Sequence, residues 1–406
     1  MSLQKSPFNL AVFAAGLGFF IDAFDLFLFN IYRIPSLKDL GLSGKDLTRT
    51  GENILAIQMA GMIVGGIITG IIGDRKGRVS VLYGSILLYS ISNIANAFVE
   101  DTTSYAVIRF LAGAGLAGEL GAGITLVSES MTIERRGYGT IMVATLGAMG
   151  AVTAGLIGNI VPWRIAFFAA GCIGMLLLLL RMSTIEPEMF SKRTSSDRIK
   201  RGSFRLLFSN RKRSLTYFAC ILTGIPIWYS VGLLITLSPE IAALKNIEGL
   251  KLATCFILFQ VGITFGDLSS GILSQLLKTR KKVMIAYMLF ALVSTLFHFI
   301  LISNSSGIYL TSLLMGTGCG YLSVFVTATA EHFGTNLRVL ITATVTNFMR
   351  GAVTLLVPLH VWLESFFGID LIQSLAITGL IVWSLALIAV FYLPETYGKN
   401  LDFIEE

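Results

Sequence analysis

Charged side chains are scarce in this chain. Only 14% of its 406 residues are Asp, Glu, Lys or Arg, while 54% are apolar; soluble domains carry roughly 25% charged residues. The shortage excludes an ordinary soluble domain and indicates a protein that crosses a membrane several times. The net charge of +7 does not indicate nucleic-acid binding, because the basic residues lie between apolar runs and form no basic, aromatic-lined groove.

Cysteine and histidine are also rare, with four and three residues. The cysteines lie inside apolar runs without metal-ligand spacing, so we expect them to be free packing residues. The histidines are scattered, and no nucleophile–base set accompanies them. We therefore expect neither an enzyme, nor a metal site, nor any cofactor beyond a proton gradient.

Proline is limited to eight residues, and six of them lie outside the long apolar runs. A membrane-spanning helix needs roughly 20 apolar residues, and twelve runs approach that length. They lie near residues 8–32, 53–73, 79–99, 105–128, 138–161, 163–182, 214–237, 252–276, 283–303, 307–330, 339–362 and 371–393. The pattern predicts an all-α membrane protein with twelve transmembrane helices.

The polar stretch 183–213 divides these spans six and six. We expect an N-terminal six-helix bundle over 1–182, a basic cytoplasmic linker over 183–213, and a C-terminal six-helix bundle with a short cytoplasmic tail over 214–406. With both termini placed in the cytoplasm, that side holds 22 Lys and Arg and the opposite side holds 7, in agreement with the positive-inside rule. We therefore expect a multi-pass, monomeric protein in the lipid bilayer of a bacterial inner membrane.

The two halves repeat at an offset of about 201 residues. Basic hairpins follow the second and eighth spans, and Gly-Ala-Val recurs after residues 149 and 350. A repeat in the same topological sense predicts two parallel halves with a substrate site between them near the membrane midplane. At this offset Gly115 and Glu119 correspond to Gly316 and Gly320, so this acid occurs only in the first half.

A basic hairpin joins the second and third spans in Gly70-Ile-Ile-Gly73-Asp74-Arg75-Lys76-Gly77-Arg78-Val79. Its glycines permit a tight turn, and its arginines can face anionic headgroups. The run resembles the loop signature Gly-x-x-x-Asp-Arg/Lys-x-Gly-Arg/Lys-Arg/Lys of the major facilitator superfamily, from which Val79 departs at the last place. The resemblance implies a transporter whose conformational cycling depends on Gly73, Asp74, Arg75, Gly77 and Arg78.

Two carboxylates interrupt the first span. Asp22 and Asp25 lie three residues apart and so share one helix face. In a low-dielectric setting they cannot both ionise easily, which favours proton binding by at least one of them. The alternative is that one of them caps backbone groups or pairs permanently with an arginine.

The fourth span combines Arg109, a glycine-rich turn and Glu119. Three of its glycines match a dinucleotide-binding pattern, but within an apolar helix without a preceding strand they indicate close helix packing instead. The first and fourth spans resemble those of the phosphate:proton and metabolite:proton symporter branches of the superfamily. The resemblance implies that Asp22, Asp25 and Glu119 bind protons or substrate.

Two arginines lie within spans. Arg350, in the eleventh span, can bind a carboxylate or phosphate bidentately, with Asn347 one helical turn away; the alternative is a permanent salt bridge with a buried acid. Arg109 is a second candidate for substrate binding. Its position nearer the outer end also suits a side chain that snorkels or braces the helix bundle.

Two further residues are candidates for gating. Asp267 lies nine residues from the cytoplasmic end of the eighth span, where an inner-gate contact is expected. Pro226 lies with Gly224 in the middle of the seventh span and predicts a kink or local unwinding. That irregularity is either a static packing feature or a moving gate.

These observations favour a proton-coupled importer of a small polar or anionic metabolite that works by alternating access. A proton-driven exporter would use the same fold and the same acids, and the sequence does not fix the direction. A transport-deficient nutrient sensor is the non-transport alternative, and the short tail after Pro394 argues against it.

Overall fold

The computed structural model describes residues 10–76, 78–130, 136–158, 160–184, 204–301, 303–334, 336–399 and 404–405. Over these ranges the chain forms helices joined by turns, and no strand occurs in them. Internal contacts divide the chain into two compact units, Met1–Gly202 (unit 1) and Ser203–Glu406 (unit 2). The boundary falls within the stretch 183–213 that the sequence marks as a linker.

Unit 1 contains six long helices in its described residues. They are α1 (Leu10–Asp39), α2 (Gly44–Lys76), α3 (Arg78–Asn96), α4 (Thr102–Ser130), α5 (Arg136–Ile157) and α6 (Trp163–Thr184). α1 packs chiefly on α5, and α4 packs on both α2 and α3. The first helix extends beyond the predicted span 8–32: it continues to Asp39, contains Pro35, and includes Arg33, which is completely buried.

Unit 2 also provides six spans, but three of them are interrupted. Its elements are α7 (Phe204–Phe208), α8 (Arg211–Tyr229), a π-helical segment (Ser230–Ile235), α9 (Ser238–Leu244), α10 (Leu252–Leu276), α11 (Lys281–Ile300), α12 (Ser305–Cys319), α13 (Leu322–His332), α14 (Arg338–Gly351), α15 (Val353–Phe367) and α16 (Leu371–Tyr392). α8 passes directly into the π segment. α12 and α13 are two parts of one span, as are α14 and α15.

Membrane-spanning character follows from length and composition. Among the described residues, eight helical stretches are long and apolar enough to cross a membrane, two in unit 1 and six in unit 2. α1, α3, α4 and α5 complete the twelve spans. The predicted all-α membrane architecture with two six-helix bundles is confirmed.

Glycines bring α2 and α4 of unit 1 into backbone contact. A Cβ atom on Gly61 would lie 2.1 Å from the carbonyl oxygen of Phe110, and one on Gly113 would lie 2.0 Å from that of Gln58. Any side chain at either position would therefore force the helices apart. This is the close packing that the glycine-rich fourth span predicts.

The same seam recurs between α10 and α12 of unit 2. A Cβ on Gly262, 201 residues after Gly61, would lie 2.3 Å from a backbone oxygen of α12. A Cβ on Gly316, 203 residues after Gly113, would lie 2.1 Å from the carbonyl oxygen of Phe259. The two units therefore repeat the same contacts, but the offset differs from helix to helix.

The changing offset corrects one sequence-based correspondence. Gly316 matches Gly113 rather than Gly115, so the counterpart of Glu119 is Leu322 and not Gly320. Gly262 and Gly316 are 54 residues apart, whereas Gly61 and Gly113 are 52 residues apart, which accounts for the shift. The conclusion that the acid occurs only in the first half is unchanged.

Candidate functional site

Arg109 lies at the centre of a buried polar cluster in unit 1. It comes from α4, is completely buried, and donates from all three guanidinium nitrogens. Nη2 donates to Asp25 Oδ2 at 3.3 Å, Nη1 donates to Asn93 Oδ1 at 3.1 Å, and Nε donates to Gln58 Oε1 at 3.3 Å. Helices α1, α2, α3 and α4 each contribute one of these side chains.

The faces of the Arg109 guanidinium are covered as well. Its central carbon lies 5.0 Å from the ring centroid of Phe29 and 5.2 Å from that of Phe167. Asp25 is as completely buried as Arg109, and a buried charge is tolerated only when it is paired and hydrogen-bonded. These contacts favour the bracing role for Arg109, while its role in substrate binding stays a prediction.

Both carboxylates of α1 are buried. Asp25 is bound to Arg109, which matches the alternative of a lasting arginine partner. Asp22, one helical turn earlier, is also buried, with 1% of its surface exposed. The sequence predicts proton binding by at least one of them, and for both residues that role stays a prediction.

Arg350 occupies the end of an interrupted helix in unit 2. α14 ends at Gly351, and α15 begins two residues later, so the cation lies where a helix dipole favours positive charge. The guanidinium carbon lies 5.4 Å from the ring centroid of Trp228, and the side chain is 6% exposed. Asn347, the predicted neighbour, is 2% exposed and donates from Nδ2 to the Ala343 carbonyl at 3.0 Å.

Trp228 belongs to the irregular part of the seventh span. Pro226 lies inside α8, and the wider π-helical turns follow directly after Tyr229. Ser230 Oγ donates to the Pro226 carbonyl at 2.9 Å, and a side chain on Gly232 would meet Val353 at 2.9 Å. The irregularity therefore lies where Pro226 predicts one, and the gating role stays a prediction. Sequence spacing gave no signal that Trp228 contacts Arg350.

Asp267 caps a helix in unit 2. Its Oδ1 accepts a hydrogen bond from the backbone N–H of Ser323 at 2.9 Å, in the first turn of α13. Nearby, Ser270 Oγ donates to the Gly320 carbonyl at 2.6 Å. These two bonds hold the interruption between α12 and α13. The described contacts of Asp267 are thus structural, and its inner-gate role stays a prediction.

The basic hairpin signature is largely helical. α2 continues through Lys76 and α3 begins at Arg78, so both helices extend further into the run than the predicted spans 53–73 and 79–99. α2 has 33 residues and is about 50 Å long at 1.5 Å per residue. Because the hydrocarbon core is roughly 30 Å thick, the polar end of α2 can continue as helix beyond it.

Several predicted site residues cannot be placed in full. Gly77 lies outside the described residues. The backbones of the following residues are helical, but their side chains lie outside the described part of the chain: Gly73, Asp74, Arg75, Arg78 and Glu119.

A network at one end of unit 2 centres on Glu395, which follows α16. The carboxylate accepts from the backbone N–H groups of Arg280 at 2.8 Å and Lys281 at 3.2 Å, and from the Thr279 hydroxyl. Burial opposes its ionisation, but hydrogen bonds from Thr279 and from nearby backbone N–H groups outweigh burial and lower the pKa of Glu395 to about 2. The carboxylate therefore ties the end of the last span to the loop between α10 and α11.

Arg280 extends this network to α13. Its Nη2 lies 3.4 Å from Glu331 Oε1, and Thr396 Oγ1 donates to Glu331 Oε2 at 2.7 Å. The functional residues predicted from the sequence did not include Glu395. The segment Pro394-Glu395-Thr396 directly after the last span was the available signal.

Comparison with a protein-family model identifies the family of this chain. The model described as Major Facilitator Superfamily matches residues 15–358, which is most of the sequence. The chain belongs to the Major Facilitator Superfamily. As a member it is a multi-pass membrane transporter and not an enzyme.

Individual relatives agree with this assignment. This facilitator is similar to a sialic acid transporter of Escherichia coli (strain K12), with 23% identity over 389 residues that cover 93% of each chain. It is also similar to a niacin transporter of Acinetobacter baylyi, with 30% identity over 164 residues, or 39% of this chain and 36% of that one.

A solved structure shows the same fold. It is a bacterial homolog of the human lysosomal transporter Spinster in an inward-facing, unoccupied conformation, with a TM-score of 0.68 and 13% identity. The match covers 96% of this chain and 98% of that chain. At this identity the likeness concerns the fold alone.

Proposed function

We propose that this facilitator imports a small organic anion together with protons by alternating access. The observation that carries the proposal is Arg350, a nearly buried guanidinium beside the indole of Trp228 at an interrupted helix. A guanidinium binds a carboxylate through two parallel hydrogen bonds, and an indole face accepts a flat, partly apolar ring. The names of two relatives, a niacin and a sialic acid transporter, support this class, because both compounds carry a carboxylate.

We assign the coupling proton to Asp22. A proton on Asp25 would leave the charge of Arg109 uncompensated in a completely buried site, which is costly. Asp22 can gain and lose a proton while that ion pair stays intact. Proton and substrate must each change the affinity for the other, because coupling between two sites is reciprocal.

Uptake into proteoliposomes tests substrate class and coupling together. Nicotinate and nicotinamide form a matched pair, since they share the ring and differ in the carboxylate. We expect nicotinate or another ring carboxylate to accumulate under an inward proton gradient, with nicotinamide excluded and a protonophore abolishing accumulation. Uptake that is unchanged by the protonophore, without alkalinisation outside, contradicts proton symport.

Variants of α14 test the role of Arg350. Arg350→Lys keeps the positive charge but loses the two parallel hydrogen bonds of the guanidinium. Arg350→Ala should reduce substrate affinity by more than roughly tenfold, because losing one partner of a desolvated charge pair costs about 2–5 kcal/mol. Arg338→Lys is the control, because Arg338 donates to the carbonyls of Ala330 and Phe333 at the other end of the same helix. If Arg350→Ala binds substrate normally but unfolds at lower temperature, Arg350 is a structural ion-pair partner and a neutral or zwitterionic substrate is favoured.

A further inference from the structure

Three basic side chains at the start of unit 2 are exposed. They are Arg205 in α7 and Arg211 and Lys212 in the first turn of α8. None of the three forms an ion pair within the described part of the chain. Arg213, the next residue, differs: it binds Glu405 at 3.0 Å and donates to the Leu206 carbonyl at 2.6 Å.

The local fold gains nothing from the charges of Arg211 and Lys212. They lie at the N-terminus of α8, where the helix dipole disfavours cations, and the first turn contains no acidic residue. The free N–H groups there are already capped, because Asn210 Oδ1 accepts from the backbone of Lys212 at 2.9 Å and of Arg213 at 3.3 Å. The preceding stretch 189–203 is itself basic, with five Lys or Arg and one Asp.

One helical turn further along α8 from these cations, an exposed apolar face begins. Leu215 and Phe218 lie four and seven residues after Arg211, which places all three on one face of α8. Leu215 is 46% exposed, and Phe208 and Phe218 are each 50% exposed. The ring of Phe208 folds back to 6.2 Å from that of Phe218. Charged heads and apolar rings therefore follow each other along the helix axis.

We propose that this basic–aromatic patch binds an anionic phospholipid. The patch consists of Arg205, Phe208, Arg211, Lys212, Leu215 and Phe218. α8 is the start of a membrane span, so its terminal cations lie at the level of lipid headgroups and the apolar face below them lies in hydrocarbon. The phosphate is then held by the three cations while an acyl chain packs along the phenylalanines. An acidic protein segment would complement the charges but not the apolar face beneath them.

Native mass spectrometry of the purified full-length protein tests this directly. The protein in detergent is titrated with dioleoyl-phosphatidylglycerol and, separately, with dioleoyl-phosphatidylcholine. The test variant is Arg211→Gln/Lys212→Gln; the matched control is Lys245→Gln/Lys251→Gln, which removes two exposed lysines from the opposite end of unit 2. Arg205→Gln, outside α8, is a milder variant in case the double variant folds poorly.

The expected result is a selective loss of the anionic lipid. One basic residue near an anionic surface contributes about fivefold in affinity, so the double variant should bind phosphatidylglycerol about thirtyfold more weakly. Phosphatidylcholine carries its own cation beside the phosphate, so its binding should weaken much less than that of phosphatidylglycerol. The lysine control should match the unmodified protein. Phe218→Ala should weaken both lipids equally.

Three outcomes would overturn the proposal. The first is unchanged phosphatidylglycerol affinity in both Arg211→Gln/Lys212→Gln and Arg205→Gln, or an equal loss in the lysine control. The second is complete displacement of the lipid by millimolar inorganic phosphate, which would make the patch a site for free anions. The third is a polyglutamate peptide that binds more tightly than phosphatidylglycerol, which would indicate an acidic protein partner.

Discussion

Neutralising Asp25 should destabilise the protein far more than neutralising an exposed acid. Asp25→Asn keeps the shape of the side chain but leaves the Arg109 guanidinium without a counter-charge. Both residues are completely buried at a separation of 3.3 Å. The remaining neighbours of Arg109 are two neutral amides and two aromatic rings, which cannot balance a full positive charge.

The magnitude follows from this burial. Removing one partner of a buried ion pair typically costs about 3–5 kcal/mol. For a unit of this size, 1 kcal/mol corresponds to roughly 2–4 °C in Tm. We therefore expect Asp25→Asn to lower Tm by about 6–20 °C.

Unit 1 also contains an exposed ion pair with the same separation, which serves as a control for burial. Asp39 and Arg164 form an ion pair of the same length, 3.3 Å, but their side chains are 52% and 38% exposed. An exposed pair contributes about 0–1 kcal/mol, so Asp39→Asn should shift Tm by only a few degrees. Both variants are compared by tryptophan fluorescence in the same detergent at one heating rate, because unfolding of a large membrane protein is often irreversible.

A double variant completes the test. Asp25→Asn/Arg109→Gln removes the stranded charge together with its partner, so its Tm should lie above the value expected if the two single losses simply added. If Asp25→Asn shifts Tm no more than Asp39→Asn, or if the losses of the double variant are additive, the ion pair does not brace the helices. Asp25 would then return as a proton-binding candidate.

Three further variants test other parts of the molecule. Asp74→Asn should slow substrate counterflow while leaving equilibrium affinity largely intact; a large loss of affinity with normal counterflow would contradict this. Asp267→Ala should lower Tm by roughly 2–4 °C, because loss of a helix cap costs about 1 kcal/mol, whereas Asp267→Asn keeps an acceptor for Ser323 and should cost less. Glu395→Gln should lower Tm at pH 7 and flatten its acid dependence. The pKa of Glu395 is lowered from 4.5 to about 2, so its contribution is complete above about pH 4.5 and is lost as the pH falls toward 2; an equally steep acid dependence in the variant would rule this out.

The number and order of the spans could be predicted because each span must be about 20 apolar residues long. The interruptions in unit 2 could not be predicted in the same way. The break between α12 and α13 is held by Asp267 and Ser270, which come from a different helix. Hydrogen bonds from another helix cannot be inferred from the amino-acid composition of the interrupted span itself. Pro226 is the exception, since a missing N–H marks an irregular helix directly.

The candidate site was only partly accessible from sequence. A charge inside an apolar run identifies Asp25, Arg109 and Arg350 as exceptional, because burying a charge is costly. Which acid pairs with which arginine depends on three-dimensional packing, so the ion pair of Asp25 and Arg109 remained one of several alternatives. Trp228 could not be identified as a site residue from the sequence, because a tryptophan in an apolar span is not in itself unusual and only the structure shows its contact with Arg350.

The glycine seams have a mechanical consequence for the transport cycle. Where α2 meets α4, and α10 meets α12, the Cα atoms of one helix rest against backbone oxygens of the other. At such a contact the two helices cannot slide or change their crossing angle without a steric clash. We therefore expect each helix pair to move as one rigid unit. The interruptions at 230–235 and 352 lie outside these two seams, and both are in unit 2. The described spans of unit 1 are continuous helices. We therefore expect unit 1 to move as a rigid body during the transport cycle, while the helices of unit 2 change conformation at their interruptions.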